Sequence, residues 1–478
     1  MALHHRGGLD RPKAARLWAA AAAATAVLLP GVPVASSVQE EEASAGRPSA
    51  PGPAPRGLGP LGSGSGALAP RHAAHRAEAS PLTTRFARHS GPAGEPAWPE
   101  VVPTASRGDS PQPSPPPLAL PCPLEAGWET LVTLRLPRVE GDRPSGGFSA
   151  VSYDPGSDLL ELLSDAPRGV VQRWSGLGSL VAAALAGEVQ SPAGPSPFLQ
   201  PRGRLPLHSG SAPLPDAMDG EGLVRLGADL WVASEGRRSA ARPAQLLRFE
   251  AATGALRQAL ELPPAWLPAP GRGLEVNKGP ESLAGWRQAG RADRLLMASE
   301  TALLQDPPGQ VRLLQWIPTA SGATARPLRS LALPGAGAWS LTDLLLVPQA
   351  RGAAGLLALL RRFEEPDRWG AKLLLYPPPS PEDGATATAA PLGAADPAAN
   401  PLPPRHSWNL LAMGPGRTGL PPDNWEGLGW GPPLADGRAT LVLVTDDNFN
   451  PLQANLLAVL APRRLAGCRA THGRAPVW

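Results

Sequence analysis

The sequence predicts an all-β fold, a single β-propeller of about six blades behind a disordered N-terminal leader. Three observations lead there. Up to about residue 120 the chain is dominated by Ala, Pro, Gly and Ser. Beyond it, one hairpin-shaped segment recurs in five diverged copies, and helical periodicity is nearly absent. Consecutive units with several short strands each are the signature of a propeller, whose blades stack around an axis.

Arg11, Lys13 and Arg16 form a basic stretch, and Trp18 to Leu29 is an apolar, Ala-rich run of signal-peptide length. Pro30, Gly31 and Pro33 break any helix, and Val34-Ala35-Ser36 offers small residues for cleavage. Residues 1–36 therefore read as a signal peptide that sends the chain to the periplasm or the exterior. An uncleaved anchor is the alternative, although the run is short for a membrane span. Residues 37–120 read as a linker, with runs such as Pro51-Gly52-Pro53-Ala54-Pro55 that bury too little apolar surface to offset ordering entropy. Residues 121–470 read as the folded domain, interrupted by a Pro/Ala-rich surface loop from Pro377 to Pro404.

The repeats run from Gly146 to Ala166, Asp219 to Gly236, Gly279 to Thr301, Ser340 to Arg362 and Asn424 to Asp447. Each has a small or acidic residue beside Gly or Ser, an apolar strand, a turn, and a second strand that ends in an acidic or polar pair. Asp154-Pro155-Gly156, Leu226-Gly227-Ala228-Asp229 and Ala435-Asp436-Gly437 supply turn chemistry where the hairpins must reverse. Thr130 to Leu136 alternates like a strand ahead of the first repeat, and Leu456 to Leu460 follows the last. Pairing these two would close the ring. The chain has two cysteines, Cys122 and Cys468, which flank these strands. In an exported protein they are expected to form a disulfide that staples the closure.

In their order and spacing these motifs resemble the phytase-like family, also described as "esterase-like activity of phytase". The resemblance lies in Asp219-Gly220-Glu221-Gly222 with Ser234-Glu235-Gly236, and in Asn277-Lys278-Gly279-Pro280-Glu281-Ser282 with Ala298-Ser299-Glu300. It is strongest in Asn424-Trp425-Glu426-Gly427-Leu428 followed by Thr445-Asp446-Asp447-Asn448-Phe449-Asn450. It implies a propeller that hydrolyses phosphate or other esters. The chain departs from the pattern at Ser149-Ala150, at Glu281-Ser282 and at Leu360-Arg361-Arg362, where an acid is missing.

Equivalent repeat positions converge on a propeller axis, so a repeated carboxylate becomes part of a ring. Glu221, Glu281 and Glu426 are equivalent, and Asp343 stands one step displaced. Asp446 and Asp447 close the last hairpin, as Asp165, Glu235 and Glu300 close others. Converging carboxylates need protons or a cation, and an oxygen-only set favours a hard ion such as Ca²⁺. The candidate metal ligands are thus Glu221, Glu281, Asp343, Glu426, Asp446 and Asp447; capping of turns and inter-blade hydrogen bonding is the structural alternative. Arg272, Lys278 and Arg361, with Arg362, are candidates to hold an anionic substrate.

Other chemistries find little support. There is no G-x-S-x-G elbow for a serine nucleophile. Two cysteines cannot build a zinc site, and His208, His406 and His472 lie outside the repeat motifs. A net charge of +3, spread along the chain, gives no nucleic-acid patch. Three functions remain: a metal-dependent phosphoesterase, a calcium-dependent lactonase or esterase, and a non-catalytic propeller that binds a small ligand or a partner.

Overall fold

The computed structural model describes residues 118–468 apart from 141–142, 167, 190–195, 211, 214–217, 237–241, 288–292, 320–321, 336, 350–351, 366–367, 380–399 and 415–416. The expected signal peptide and nearly all of the expected linker lie outside the described residues, as does most of the Pro/Ala-rich loop.

Five four-stranded antiparallel sheets make five blades. The first contains Phe148–Asp154, Leu159–Ser164, Val170–Ser175 and Gln200–Pro206. The second contains Gly220–Leu226, Asp229–Ser234, Gln245–Glu250 and Leu256–Glu261. The third is Pro280–Trp286, Arg294–Ser299, Gln310–Pro318 and Ala323–Ala332. The fourth is Ser340–Gln349, Gly352–Glu364, Arg368–Tyr376 and His406–Asn409. The fifth takes Trp425–Trp430, Leu441–Thr445 and Leu456–Pro462 from the end of the chain and Trp128–Arg135 from its beginning.

The expectation of about six blades is corrected to five. The strand that precedes the first repeat founds no blade of its own. It pairs antiparallel with Leu456–Pro462, with Trp128 opposite Pro462 and Arg135 opposite Leu456, and becomes the outermost strand of the fifth blade. Cys122 and Cys468 lie just outside these partners and are disulfide-bonded, with Cα atoms 5.8 Å apart across 346 residues of sequence.

The core is layered between blades. One apolar cluster lies at each junction: Leu163, Leu205 and Val232 between the first and second blades, for example, and Trp128, Leu357, Leu373 and Leu443 between the fourth and fifth. Each fully buried Leu or Val contributes roughly 1.5–3 kcal/mol. The central strands supply these residues as nearly unbroken apolar runs such as Leu441–Thr445, because both faces of a blade are covered. One helix, Leu177–Leu185, packs Leu177, Leu180 and Val181 into the layer between the first and fifth blades.

Every innermost strand carries a register shift near its start. The shifts fall between Phe148 and Ala150, Gly220 and Gly222, Pro280 and Ser282, Leu341 and Asp343, and Trp425 and Gly427. The bulged residues are therefore Ser149, Glu221, Glu281, Thr342 and Glu426. A bulge takes one residue out of the ladder and re-aims its side chain. The residue after the bulge lies against the next blade: a Cβ on Gly222 would stand 2.8 Å from the backbone nitrogen of Leu283. That close approach requires glycine there.

Candidate acid-lined mouth

Three rings of equivalent positions meet at the end of the propeller where the innermost strands begin. The bulge ring holds Ser149, Glu221, Glu281, Thr342 and Glu426. A second ring stands just after the second strand of each blade or, for Arg361, near the end of that strand: Asp165, Glu235, Glu300, Arg361 and Asp446. The third lies two residues before each bulge, at Gly147, Asp219, Gly279, Ser340 and Asn424. Backbone bonds join the second ring to the third: the amides of Asp165, Glu235, Glu300 and Asp446 donate to the carbonyls of Gly147, Asp219, Gly279 and Asn424.

Around this mouth the electrostatics divide. On the side of the second blade, Asp219, Glu221 and Glu235 each offer a carboxylate oxygen, and these oxygens lie within 4.8 Å of one another. Glu221 and Glu281, 9% and 6% exposed, receive no hydrogen bond among the described residues. Burial raises the pKa of Glu221 well above the usual carboxylate range, and the charges of Glu281, Glu426, Asp219 and Glu235 push it further. Glu281 is raised in the same way, by burial and then by Glu300, although Arg361 opposes the shift. Glu235 is pushed up to about 7, chiefly by burial, against a hydrogen bond from the Gly279 amide and with Asp219 and Glu300 adding to the rise.

The fourth-blade side has its own cations. Arg361 takes the position that is acidic in every other blade. It donates to Asn424 Oδ1 at 3.0 Å and lies 3.4 Å from Glu300 Oε1 and 3.3 Å from Glu426 Oε1. Burial disfavours its charge, but Glu426, Glu300, Glu281 and Glu221 outweigh that and hold it protonated. Lys278 Nζ donates to Glu300 Oε1 at 2.8 Å. Asn424 Nδ2 donates to Glu426 Oε1 at 2.9 Å. Glu300 Oε2 is nevertheless buried without a donor among the described residues.

Between these halves lie Asp165 and Asp446. Burial, Asp446, Asp219 and Asp447 raise Asp165 to about 8. Asp446 rises to about 6, mainly through burial, with the Asn448 amide opposing and Asp447 adding to the rise. Glu426 rises to about 8, again through burial first, despite Arg361.

The sequence-predicted residues sort accordingly. Glu221, Glu281, Glu426 and Asp446 meet at the mouth, and Lys278 and Arg361 reach it. Asp343 occupies the position after the bulge and is committed between blades: its two oxygens accept from the amides of Leu344 at 2.8 Å and Leu428 at 2.7 Å. Asp447 Oδ1 accepts from the Gly147 amide at 2.9 Å, tying the last blade to the first, and Oδ2 meets Arg138 at 2.8 Å. Arg272 is exposed on the turn where its backbone pairs with Ala269. Arg362 lies over the Trp339 ring and meets Glu364. His208 is held by the carbonyls of Gly210 and Thr253, His406 stacks on Trp408, and His472 lies outside the described residues. Asp219 and Glu235 were visible as motif residues, but not as a group with Glu221. The signal was the repeat itself: residues on either side of one hairpin mouth must be neighbours.

The donor set fits a hard divalent cation. It is all oxygen, it is crowded with like charge, and among the described residues Glu221 and Glu281 have no hydrogen-bond donor to stabilise their ionised forms.

Among solved structures, the chain is similar to an endo-arabinase from Bacteroides thetaiotaomicron VPI-5482, at 9% identity and a TM-score of 0.36 over 68% of this chain and 97% of that one. It is also similar to the β-propeller domain of Cps50 (Swd1) from Myceliophteria thermophila, at 12% identity and a TM-score of 0.30 over 70% and 99%. No curated protein matches. The family model "Phytase-like: Esterase-like activity of phytase" matches residues 143–449, well over half of the chain, and the protein therefore belongs to the phytase-like family.

Proposed function

We propose that this propeller is an exported, metal-dependent ester hydrolase whose reaction takes place at the acid-lined mouth. The observation that carries the reading is the convergence of Asp219, Glu221 and Glu235 within 4.8 Å, beside Glu281, at ring positions that the fold repeats from blade to blade. These residues would hold the ion, with Ca²⁺ favoured by the all-oxygen set. When bound, the ion supplies charge neutralisation and Lewis-acid polarisation of an ester oxygen.

The chain's own residues supply the rest. In the metal-free protein, burial first and then Asp446, Asp219 and Asp447 push Asp165 up to about 8. A carboxylic acid of that kind can protonate a departing alkoxide oxygen. Lys278 and Arg361 keep Glu300 and Glu426 neutralised, so the fourth-blade side stays ordered when the ion is absent. The disulfide between Cys122 and Cys468 supports export, because such bonds persist in oxidising compartments.

A screen of the purified protein on phosphate monoesters, carboxylic esters and lactones, with Ca²⁺ and with chelator, tests the reading. Turnover that requires Ca²⁺ and is lost in Glu221→Gln is expected. Equal turnover in Ca²⁺ and in chelator, or none on any ester, contradicts it.

A further inference from the structure

A cavity lies outside the mouth, where the strand that closes the fifth blade runs beside the outer half of the first. Its volume is about 310 Å³, at the lower end of the range for small-molecule sites. None of the mouth's ring residues lines it.

Two interruptions of the sheets border this cavity. On the fifth-blade side, the strand Trp128–Arg135 ends and Pro137 follows, which has no amide N–H to carry the ladder further. On the first-blade side, the pairing of Val170–Ser175 with Gln200–Pro206 shifts register. Arg173 stands opposite Gly203, but Trp174 stands opposite Pro201, so Arg202 is left out of the ladder. Such a bulge bends its strand, and Gly203 takes a φ of 102° that favours glycine.

The walls are apolar with two donors among them. Leu134, Leu136, Trp174 and Leu199 line the cavity, and each is no more than 5% exposed. Trp174 Nε1 is buried with no hydrogen-bond partner among the described residues. A buried indole N–H ordinarily has an acceptor. Trp128 and Trp316 also lack one, but neither borders this cavity. Arg135 lines it too and is exposed. Its charge reaches Asp423, which lies outside the lining. No Asp or Glu is among the lining residues.

We infer that this cavity is a second ligand site, and that it takes a medium-chain aliphatic carboxylate. The alkyl chain rests against Leu134, Leu136 and Leu199, and the carboxylate accepts from Arg135 and from Trp174 Nε1. One guanidinium and one indole N–H match the two oxygens of a carboxylate. A phosphate would bring further charge against leucine walls that cannot solvate it. The inference is independent of the hydrolase reading, since it uses no residue of the mouth.

Equilibrium dialysis of the full chain in chelator tests it, with octanoate, 1-octanol, octylamine and octyl phosphate as probes. Chelator keeps metal at the mouth and calcium soaps out of the measurement. Octanoate should bind the parent with a Kd below about 1 mM and more tightly than the other three. Arg135→Gln should weaken octanoate about fivefold and leave 1-octanol nearly unchanged, because Arg135 is exposed and its ion pair is partly screened. Trp174→Phe should weaken octanoate about fivefold through the lost donor. Ser196→Trp, which fills the half-buried edge of the cavity, should weaken octanoate and 1-octanol alike, by tenfold or more on the order expected for a blocked pocket. Octanoate that does not bind at about 1 mM overturns the inference. So does octylamine or octyl phosphate that binds more tightly than octanoate, or octanoate binding that ignores both Arg135→Gln and Ser196→Trp.

Discussion

The two sides of the mouth solve the same electrostatic problem differently. On the fourth-blade side, Arg361 stands where the other four blades have an acid, and with Lys278 it neutralises Glu300 and Glu426. On the second-blade side, the carboxylates of Asp219, Glu221 and Glu235 crowd within 4.8 Å of one another. A built-in guanidinium completes one half permanently. In the other half, burial first and then the neighbouring carboxylates push Glu221 and Glu235 toward their protonated forms. Loss of one acid from the repeat pattern thus puts a guanidinium in the ring, and the crowded carboxylate triad lies on the second-blade side.

Breaking the self-neutralised half should have the largest effect. Arg361→Met leaves Glu300 and Glu426 buried without their guanidinium and is expected to cost about 3 kcal/mol in a denaturant titration. Added Ca²⁺ should recover part of that loss, because the ion then has a second acidic half to neutralise. A loss of the same size at every Ca²⁺ concentration would separate Arg361 from the metal site.

Asp343 sharpens the comparison, as a buried acid that belongs to neither half. Its oxygens serve the amides of Leu344 and Leu428, so Asp343→Ala should cost about 1–3 kcal/mol for the donors left unpaired. The cost should be the same with Ca²⁺ and with chelator. A cost that changes with Ca²⁺ would return Asp343 to the ligand set.

The mouth as a whole also predicts a pH dependence. Asp446, Glu235, Asp165 and Glu426 titrate at about 6, 7, 8 and 8 in the folded protein. Unfolded carboxyls titrate near about 4. Between these values the folded state holds protons that the unfolded state has released, so stability falls as pH rises. In chelator, the melting temperature should therefore drop between about pH 5 and pH 8. In saturating Ca²⁺ the drop should be smaller, which thermal melts across that window will measure.

Much of this architecture was legible in the sequence because the repeats are hairpins with strong punctuation. Turn residues such as Asp154-Pro155-Gly156 and apolar runs such as Leu441–Thr445 marked the two inner strands of each blade. The outer strands were harder to read. Gln200–Pro206 and Leu256–Glu261 are largely exposed or half-buried, and they carry Pro, Gly and charged residues that weaken a strand pattern. That is why the blade number was five and not about six: the strand before the first repeat completes a blade already present. In the site, Glu221, Glu281 and Glu426 aligned because they share the bulge. Asp343 misaligned by one residue, and in a strand one residue reverses the face. Arg361 read as a departure from the family pattern; only the register across the blade places it in the acid ring.

The central claim is that the second-blade half of the mouth binds a divalent cation. Thermal melts of the parent, Glu221→Gln and Glu426→Gln, each in Ca²⁺ and in chelator, test it most directly. Each substitution keeps the side chain's shape and removes one negative charge. The account predicts a Ca²⁺-dependent rise in melting temperature in the parent, its loss in Glu221→Gln, and a smaller reduction in Glu426→Gln, where Arg361 already supplies the positive charge. A parent whose melting temperature ignores both Ca²⁺ and chelator would contradict the claim and leave these acids as structural groups of the blade ends.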